Sequence, residues 1–253
     1  MGTALVTGAT AGLGLEFVWQ LAAARHDLVL VARDVARLED LATKLRAAAG
    51  VSVDVLSADL SVRSDVERVA ERLRQTERPV GLLVNHAGDG RRERFLGGPV
   101  AEQEQALDVM VRAVLVLTHA AVSQMVPRGR GAILNVSSIA SLTTGGPYSA
   151  HKAWVRTFTE GLAAELRGTG VTATVLNPGL VRTEFHERAG LDFSSLPEAS
   201  WLTVERVVSE ALAAVRRGAV ISTPSKRYRI VSAVLRLLPR TLVRAVERVR
   251  PRH

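Results

Sequence analysis

The stretch "TALVTGATAGLGLEF" (Thr3 to Phe17) decides the fold of this 253-residue chain. It begins with a short, continuously apolar run, which is typical of a strand buried on both faces of a parallel sheet. A glycine-rich turn and a helical pattern follow directly. Glycines let a backbone approach a pyrophosphate, and a helix N-terminus offers N–H donors and positive potential. The spacing is G-x-x-x-G-x-G rather than the general dinucleotide fingerprint G-x-G-x-x-G, so an ordinary glycine turn is the alternative to a cofactor site.

Short apolar runs and longer helical patterns alternate along the rest of the chain. This alternation predicts an α/β fold, a doubly wound parallel sheet of about seven strands with helices on both faces. In such a sheet, ligands bind at the carboxyl ends of the strands. We expect one domain over residues 1–225 and a basic tail over residues 226–253. The predicted strands after the first lie at 27–32, 51–56, 80–85, 131–137, 171–177 and 219–223.

The net charge of +8 comes from the C-terminus. Residues 226–253 hold nine basic residues and one acid, Glu247, so the preceding part is formally neutral. The sequence therefore predicts no nucleic-acid binding by the main body.

The absence of cysteine excludes disulfides and thiolate metal sites, and no histidine and carboxylate cluster has metal spacing. Because we find no signal peptide and no apolar run of roughly 18 residues, we expect a soluble, cytoplasmic protein.

The basic tail has an amphipathic pattern. Arginines recur every four residues from Arg236 to Arg248, and leucines and valines form an apolar face. Pro239 predicts a break between two short helices. Such a segment suits peripheral contact with an anionic membrane. The alternative is that it covers an apolar patch on the body or on a sister subunit.

A second stretch, "GGPYSAHKAW" (Gly145 to Trp154), places Tyr148 and Lys152 four residues apart. On a helix, that spacing puts both side chains on one face. They are either an ordinary amphipathic pair or a phenol held beside an ammonium for proton chemistry. A free tyrosine, with a pKa of about 10, is a poor base near neutrality, and an adjacent ammonium favours the phenolate. The spacing is frequent by chance, so other motifs must support it.

A set of motifs in a fixed order supplies that support. After the glycine turn come Asp59 in "ADL", "NHAG" from Asn85 to Gly88, Ser138 in "NVSSIAS", Tyr148 with Lys152, and "NPGLVRT" from Asn177 to Thr183. Together they resemble the short-chain dehydrogenase/reductase family over residues 3 to about 223, and in particular its NADP-preferring members. The resemblance implies a Rossmann-type sheet and an oxidoreductase that interconverts a ketone or aldehyde with its alcohol.

The resemblance also implies roles for individual residues. Tyr148 exchanges a proton with the substrate oxygen, Ser138 hydrogen-bonds the same oxygen, and Lys152 tunes the phenol and holds the nicotinamide ribose. Hydride passes between the substrate carbon and the cofactor. The alternative role for Ser138 is to cap backbone at a strand end. The implied cofactor-binding residues are Gly8, Thr10, Ala11, Gly12, Leu13, Gly14, Arg33, Asp59, Leu60, Asn85, Ala87, Gly88, Tyr148, Lys152, Pro178, Gly179, Val181 and Thr183.

The end of the second strand bears on the choice of cofactor. An acid at this position accepts the ribose hydroxyls of NAD, but Ala32 occupies it here, followed by Arg33. An arginine there suits the 2′-phosphate of NADP(H). Asp34 is the counter-argument, since a shift of one residue would turn it toward the ribose. Its other role is N-cap of the next helix, for which aspartate is well suited.

One residue departs from the family pattern. Met110, in "DVMVRAV", stands where the family usually has an asparagine that supports a water linking the lysine to solvent. A thioether is a weak acceptor and cannot replace the amide. Either backbone carbonyls hold that water and the enzyme is slower, or catalysis is lost. The second case keeps open a catalytically weak or inactive NADP-binding regulatory or scaffold protein.

Substrate contacts are expected from loops at the strand ends. Besides 89–99 and 139–147, the loop 183–201 follows the Pro-Gly turn and carries Phe185, Leu191, Phe193, Leu196 and Trp201, which suit an apolar substrate or simply pack the loop. His86 is expected to fill a niche at a strand end, and His151 to lie at the surface or an interface. The resemblance implies a homodimer or homotetramer.

Overall fold

The computed structural model describes residues 2–88, 95–182 and 197–249. Thr183, Phe185, Leu191, Phe193 and Leu196 lie outside these ranges. The described strands are β1 (Thr3–Thr7), β2 (Asp27–Ala32), β3 (Val53–Ser57), β4 (Val80–Asn85), β5 (Gly131–Val136), β6 (Val171–Leu176) and β7 (Ile221–Ser222). The described helices are α1 (Gly12–Ala23), α2 (Val35–Ala49), α3 (Arg63–Arg74), α4 (Val100–Leu107), α5 (Ala113–Met125), α6 (Gly146–Glu165), α7 (Val204–Arg216), α8 (Lys226–Leu237) and α9 (Arg240–Val249).

Within the described residues the strands form one seven-stranded sheet in the order β3-β2-β1-β4-β5-β6-β7. Every pairing is parallel, so the predicted doubly wound sheet is confirmed. The chain leaves β1 for β2 on one side and reaches β4 on the other. Because the loops after β1 and β4 diverge there, a crevice opens at the carboxyl ends of these two strands. The predicted site residues follow strand ends along this edge.

Two apolar layers cover the sheet. On one face, Phe17 of α1, Leu45 of α2 and Val207 of α7 are fully buried. On the other face, Leu73 of α3 and Leu117 of α5 are equally buried. Each such side chain contributes about 1.5–3 kcal/mol by leaving water. The two layers hold the strand ends in fixed positions.

The long helical stretch Val100–Met125 is apolar and long enough, by length and composition alone, to cross a membrane. Charged residues interrupt it, which is why a search for uninterrupted apolar runs does not reveal it. In the fold, Leu117, Ala120 and Ala121 of its second half are fully buried in the layer that covers the sheet. Burial therefore explains the apolar residues that face the sheet, whereas Leu107 and Leu115 of the same stretch are exposed.

The basic tail folds back on the body as α8 and α9, with the predicted break at Pro239. The Tyr228 hydroxyl accepts a hydrogen bond from the Leu180 N–H at 3.1 Å and donates one to the Ser200 carbonyl at 2.6 Å. Its ring lies directly on Gly179, where a Cβ would come within 2.2 Å of a ring carbon. Tyr228 thus joins the tail to both sides of the segment that contains residues 183–196.

Candidate active site

Ser138, Tyr148 and Lys152 are placed by the end of β5 and the first turns of α6. Tyr148 lies at the start of α6 and Lys152 one turn later, with the Lys152 ammonium 5.8 Å from the centre of the Tyr148 ring. Ser138 caps a short 3₁₀ helix (Ile139–Leu142), and its Oγ accepts a hydrogen bond from the Ala140 N–H at 3.1 Å. This is the capping role that the sequence left open. It uses the hydroxyl as an acceptor, and the hydroxyl proton can still be donated to a ligand oxygen.

The Lys152 side chain is buried, and its Nζ donates a hydrogen bond to the Val136 carbonyl at 2.9 Å. Burial disfavours the charged form and lowers the pKa of the ammonium to about 8. Ser137 fixes this turn of α6, because its hydroxyl donates to the Lys152 carbonyl at 2.7 Å. Ser137 is absent from the sequence-based site, since its partner is a backbone atom that only the fold brings near.

Met110 lies in a π-helical turn, Asp108–Arg112, between α4 and α5. Turns of this kind are rare and often occur at functional sites. Met110 is 2% exposed, and a Cβ built on Gly88 would lie 3.8 Å from both the Met110 Cγ and the Lys152 Nζ. Met110 and the Lys152 ammonium therefore both lie close to Gly88.

The glycine turn between β1 and α1 has a backbone that depends on its glycines. Gly8 and Gly12 adopt positive φ angles of 68° and 53°. A Cβ on Gly14 would lie 2.1 Å from the Gly8 carbonyl oxygen, so glycine is required there. Among the residues that the structure describes, no side chain caps the N-terminus of α1, and its first turn holds no acid. Its N–H donors and positive potential are thus left for an anionic group, which fits the pyrophosphate of a dinucleotide.

Thr7 ties the ends of β1 and β4 together. Its Oγ1 accepts hydrogen bonds from the N–H groups of His86 and Ala87, both at 3.0 Å. The buried Nδ1 of His86 lies 2.6 Å from where a Cβ of Gly14 would be. Burial, with a smaller effect from the Lys152 charge, lowers the pKa of His86 to about 4, so the ring is neutral at physiological pH. His86 fills a niche behind the glycine turn. Thr7 is a positioning residue that belongs to the quoted motif but is not among the implied cofactor-binding residues.

Asn85 and Asp59 also have defined structural partners. The Asn85 amide nitrogen donates to the Thr118 hydroxyl at 3.1 Å and to the Asn135 side chain at 2.9 Å. The Asp59 Oδ1 accepts from the backbone N–H and the hydroxyl of Ser61. Asn85 thereby joins β4 to α5 and β5, while Asp59 holds the turn after β3 in which Leu60 is buried.

At the end of β2, Asp34 is the N-cap of α2, since its Oδ1 accepts a hydrogen bond from the Arg37 N–H at 3.0 Å. Arg33 is exposed, and its carbonyl is held by the Ser57 hydroxyl at 3.0 Å. The Arg37 guanidinium donates to the Thr10 carbonyl of the glycine turn at 3.2 Å. Asp34 thus has the capping role, and a second arginine that the sequence reasoning missed lies against the glycine turn.

The Pro-Gly turn after β6 faces the turn after β5, and the Ile139 N–H donates to the Pro178 carbonyl at 3.0 Å. Val181 pairs with Leu202 across residues 183–196. Arg182 forms an ion pair with Glu198, and its guanidinium lies 5.5 Å from the centre of the Trp201 ring. These contacts hold together the residues before and after the segment 183–196, which the sequence assigns to substrate binding.

Of the two places expected for His151, the surface and an interface, the surface is wrong for the folded chain. His151 is buried, and burial, followed by the Lys152 charge, lowers its pKa. Burial of this position depends on how the chain packs around α6, which spacing along one helix cannot show. A neutral His151 does not add a charge beside Lys152.

The chain matches the short chain dehydrogenase family over residues 2–192. It is 34% identical over 193 residues to a short chain dehydrogenase of Pseudocercospora fijiensis, a match that covers 72% of this chain and 60% of that protein. Among solved structures, it is similar to a short-chain dehydrogenase from Sphingobium yanoikuyae in complex with NADPH (TM-score 0.86, 32% identity, 100% and 97% of the two chains covered). It is also similar to the bulky-bulky ketone specific alcohol dehydrogenase from Comamonas testosteroni (TM-score 0.81, 27% identity, 100% and 96% covered).

Three observations indicate the same family. They are the matched region, the seven-stranded parallel sheet and the order of the motifs. The family consists of oxidoreductases that use a nicotinamide cofactor, and the uncapped glycine turn fits such a group. The chain therefore belongs to the short chain dehydrogenase family.

Proposed function

We propose that this protein is an NADP(H)-dependent oxidoreductase that interconverts a ketone or aldehyde with the corresponding alcohol. The observation that carries the proposal is the Tyr148 phenol with a buried ammonium 5.8 Å from its ring centre. The pair lies at the same edge of the sheet as the uncapped glycine turn. The bound cofactor supplies or accepts the hydride.

The residues of the chain supply the proton chemistry. In carbonyl reduction, the Tyr148 hydroxyl donates its proton to the substrate oxygen, while the Ser138 hydroxyl hydrogen-bonds the same oxygen and stabilises its developing charge. The Lys152 ammonium favours the phenolate that remains. In alcohol oxidation the proton returns to the phenolate. Lys152 is fixed for this role by its bond to the Val136 carbonyl.

The test is oxidation of NADPH by the purified chain against a panel of apolar ketones and aldehydes. Turnover of at least one compound, lost in Tyr148→Phe, supports the proposal. Binding of NADPH with no turnover across a broad panel favours the alternative, a regulatory or scaffold protein of the same fold. This alternative stays open because Met110, near Gly88, stands where the family usually has an asparagine.

The proposed preference for NADP(H) rests on Arg33 and Arg37. We expect Arg33→Ala to weaken NADPH binding about 10- to 100-fold, because charge-assisted bonds contribute about 1.5–3 kcal/mol, and to leave NADH binding almost unchanged. Arg37→Ala should have a smaller effect in the same direction, since its guanidinium also bonds the Thr10 carbonyl. Titration of both cofactors checks this. An equal loss for NADPH and NADH in Arg33→Ala, or tighter NADH binding by the wild type, would contradict it.

The proposed reaction should also depend on the charge of Lys152. Carbonyl reduction is expected to decline as the pH rises through about 8, where the Lys152 ammonium loses its proton. In the unfolded chain, the Lys152 side chain has the ordinary lysine pKa of 10.5 and keeps its proton up to about that pH. Between the two values the Lys152 contribution to the free energy of unfolding therefore rises with pH. Rates and urea unfolding measured on both sides of pH 8 separate loss of charge from loss of structure.

Met110 provides a matched pair of variants for this pH profile. Met110→Asn places an amide oxygen near the ammonium and stabilises its charge, so the alkaline decline should move to higher pH. Met110→Leu conserves volume, adds no acceptor and should leave the decline in place. An identical profile in both variants would show that position 110 does not influence Lys152.

The residues around the 183–196 segment bear on the class of substrate. Trp201 at the base of the 183–196 segment, with the apolar residues within it, favours an apolar carbonyl compound. The Comamonas testosteroni relative is specific for bulky-bulky ketones, which supports this class.

We propose a cytoplasmic homodimer or homotetramer, and exposed Leu107 and Leu115 of α4 and α5 offer a surface for it.

A further inference from the structure

The C-terminal helix α8 has two faces of opposite environment. Tyr228 and Ser232, one turn apart, point into the protein. Tyr228 bonds Leu180 and Ser200, and Ser232 is 6% exposed. These contacts attach α8 firmly to the body. They therefore also determine which side of α8 faces outward.

The outward side of α8 is apolar. Ile230, Val234 and Leu237 follow one another at spacings of four and three residues, which aligns them on one helix face. They are 64%, 50% and 85% exposed, and Leu242 of α9 is 51% exposed. Single apolar residues are normal on a protein surface, but a continuous apolar stripe marks an interaction site. We call Ile230, Val234 and Leu237 the outer stripe.

Basic residues lie along one side of the outer stripe. Arg229 and Arg236 lie one above the other beside it on α8, and Arg240 and Arg244 continue the positive charge along α9. All four are exposed. Arg240 also donates a hydrogen bond to the Leu142 carbonyl. In the sequence, the tail from residue 226 carries a net charge of +8, while the rest of the chain is neutral. A partner that fits this surface therefore offers an apolar region to the outer stripe and negative charge to the arginines beside it.

We propose that the outer stripe and its arginines bind the surface of an anionic lipid bilayer. The apolar side chains would enter the boundary of the acyl chains while the guanidinium groups lie among lipid phosphates. A second copy of the chain fits less well, because it would bring another strongly positive tail against the first. The stripe is short and much of the attraction is electrostatic, so binding should be reversible and weakened by salt. This proposal does not depend on the proposed reaction.

The test is co-sedimentation of the full chain with vesicles. Wild type should bind vesicles of equimolar phosphatidylcholine and phosphatidylglycerol, bind pure phosphatidylcholine poorly, and dissociate at high salt. Ile230→Ser/Leu237→Ser should weaken binding about tenfold or more. Arg229→Gln/Arg236→Gln should weaken it about 30-fold, at about fivefold for each charge near the surface.

Two matched variants serve as controls. Val35→Ser/Val62→Ser removes exposed apolar side chains elsewhere, and Arg63→Gln/Arg217→Gln removes exposed charges outside the tail. Both should bind vesicles like the wild type. Thermal unfolding with and without NADPH shows that each variant is folded.

Three results would overturn the proposal. The first is a wild type that does not bind anionic vesicles. The second is an equal loss of binding in the control variants. The third is a change of oligomeric state in Ile230→Ser/Leu237→Ser with vesicle binding unaltered, measured by sedimentation velocity, which would assign the outer stripe to contact between copies.

Discussion

Tyr148→Phe is expected to lower the rate of carbonyl reduction about 10³-fold while leaving the affinity for NADPH almost unchanged. Loss of a positioned general acid typically costs 10²- to 10⁴-fold, and Phe keeps the ring that lies 5.8 Å from the Lys152 ammonium. The loss should therefore appear in kcat, with little change in stability. Single-turnover rates with saturating NADPH measure it directly.

The chain offers a matched control, because Tyr228 is its other tyrosine. Tyr228→Phe also deletes one phenol hydroxyl, but this hydroxyl bonds Leu180 and Ser200. It should lower the free energy of unfolding by about 1–3 kcal/mol and reduce kcat less than about tenfold. If both variants lose activity equally, or if Tyr148→Phe retains wild-type turnover, Tyr148 is not the proton donor.

Gly14→Ala is expected to abolish NADPH binding and to destabilise the fold. The added Cβ would lie 2.1 Å from the Gly8 carbonyl oxygen and 2.6 Å from the His86 Nδ1. The Gly8 backbone and the buried His86 ring cannot move aside without disturbing their own contacts. The glycine turn must therefore shift to make room for the added Cβ. We expect a loss of about 3 kcal/mol, which corresponds to a Tm about 6–12 °C lower for a chain of this size.

Gly161→Ala is the control for this substitution, because Gly161 also lies in a helix but nothing is within 4 Å of its added Cβ. Here alanine should stabilise the protein by up to about 1 kcal/mol through its higher helix propensity. Thermal unfolding with and without NADPH measures both effects. Gly14→Ala with normal stability and normal NADPH binding would show that the glycine turn is not held as the structure has it.

The features that sequence reasoning predicted correctly depend on short-range patterns. Continuous apolar runs alternating with helical periodicity indicate the parallel sheet, because strands covered on both faces need no polar side. Asp34 caps α2 through a residue three positions later. The spacing of Tyr148 and Lys152 works in the same way, since one helical turn brings them together.

The residues that sequence reasoning missed act on atoms far away in the chain. Thr7 holds the N–H groups of His86 and Ala87, 79 and 80 residues later. Arg37 reaches the Thr10 carbonyl, 27 residues earlier, and Ser137 bonds the Lys152 carbonyl, 15 residues later. Their partners are backbone groups, which leave no signature in the side-chain pattern.

By itself, the sequence determined the sheet, the glycine turn, the paired Tyr148 and Lys152, and the amphipathic character of the tail, since each follows from spacing within one or two elements. Tertiary structure decided how these parts face one another. It buried Lys152 beside Gly88 and Met110, which lowers its pKa. It also turned Tyr228 inward and Ile230 and Leu237 outward. The physical reason is that burial and exposure depend on which surfaces meet, and helices distant in the chain supply those surfaces.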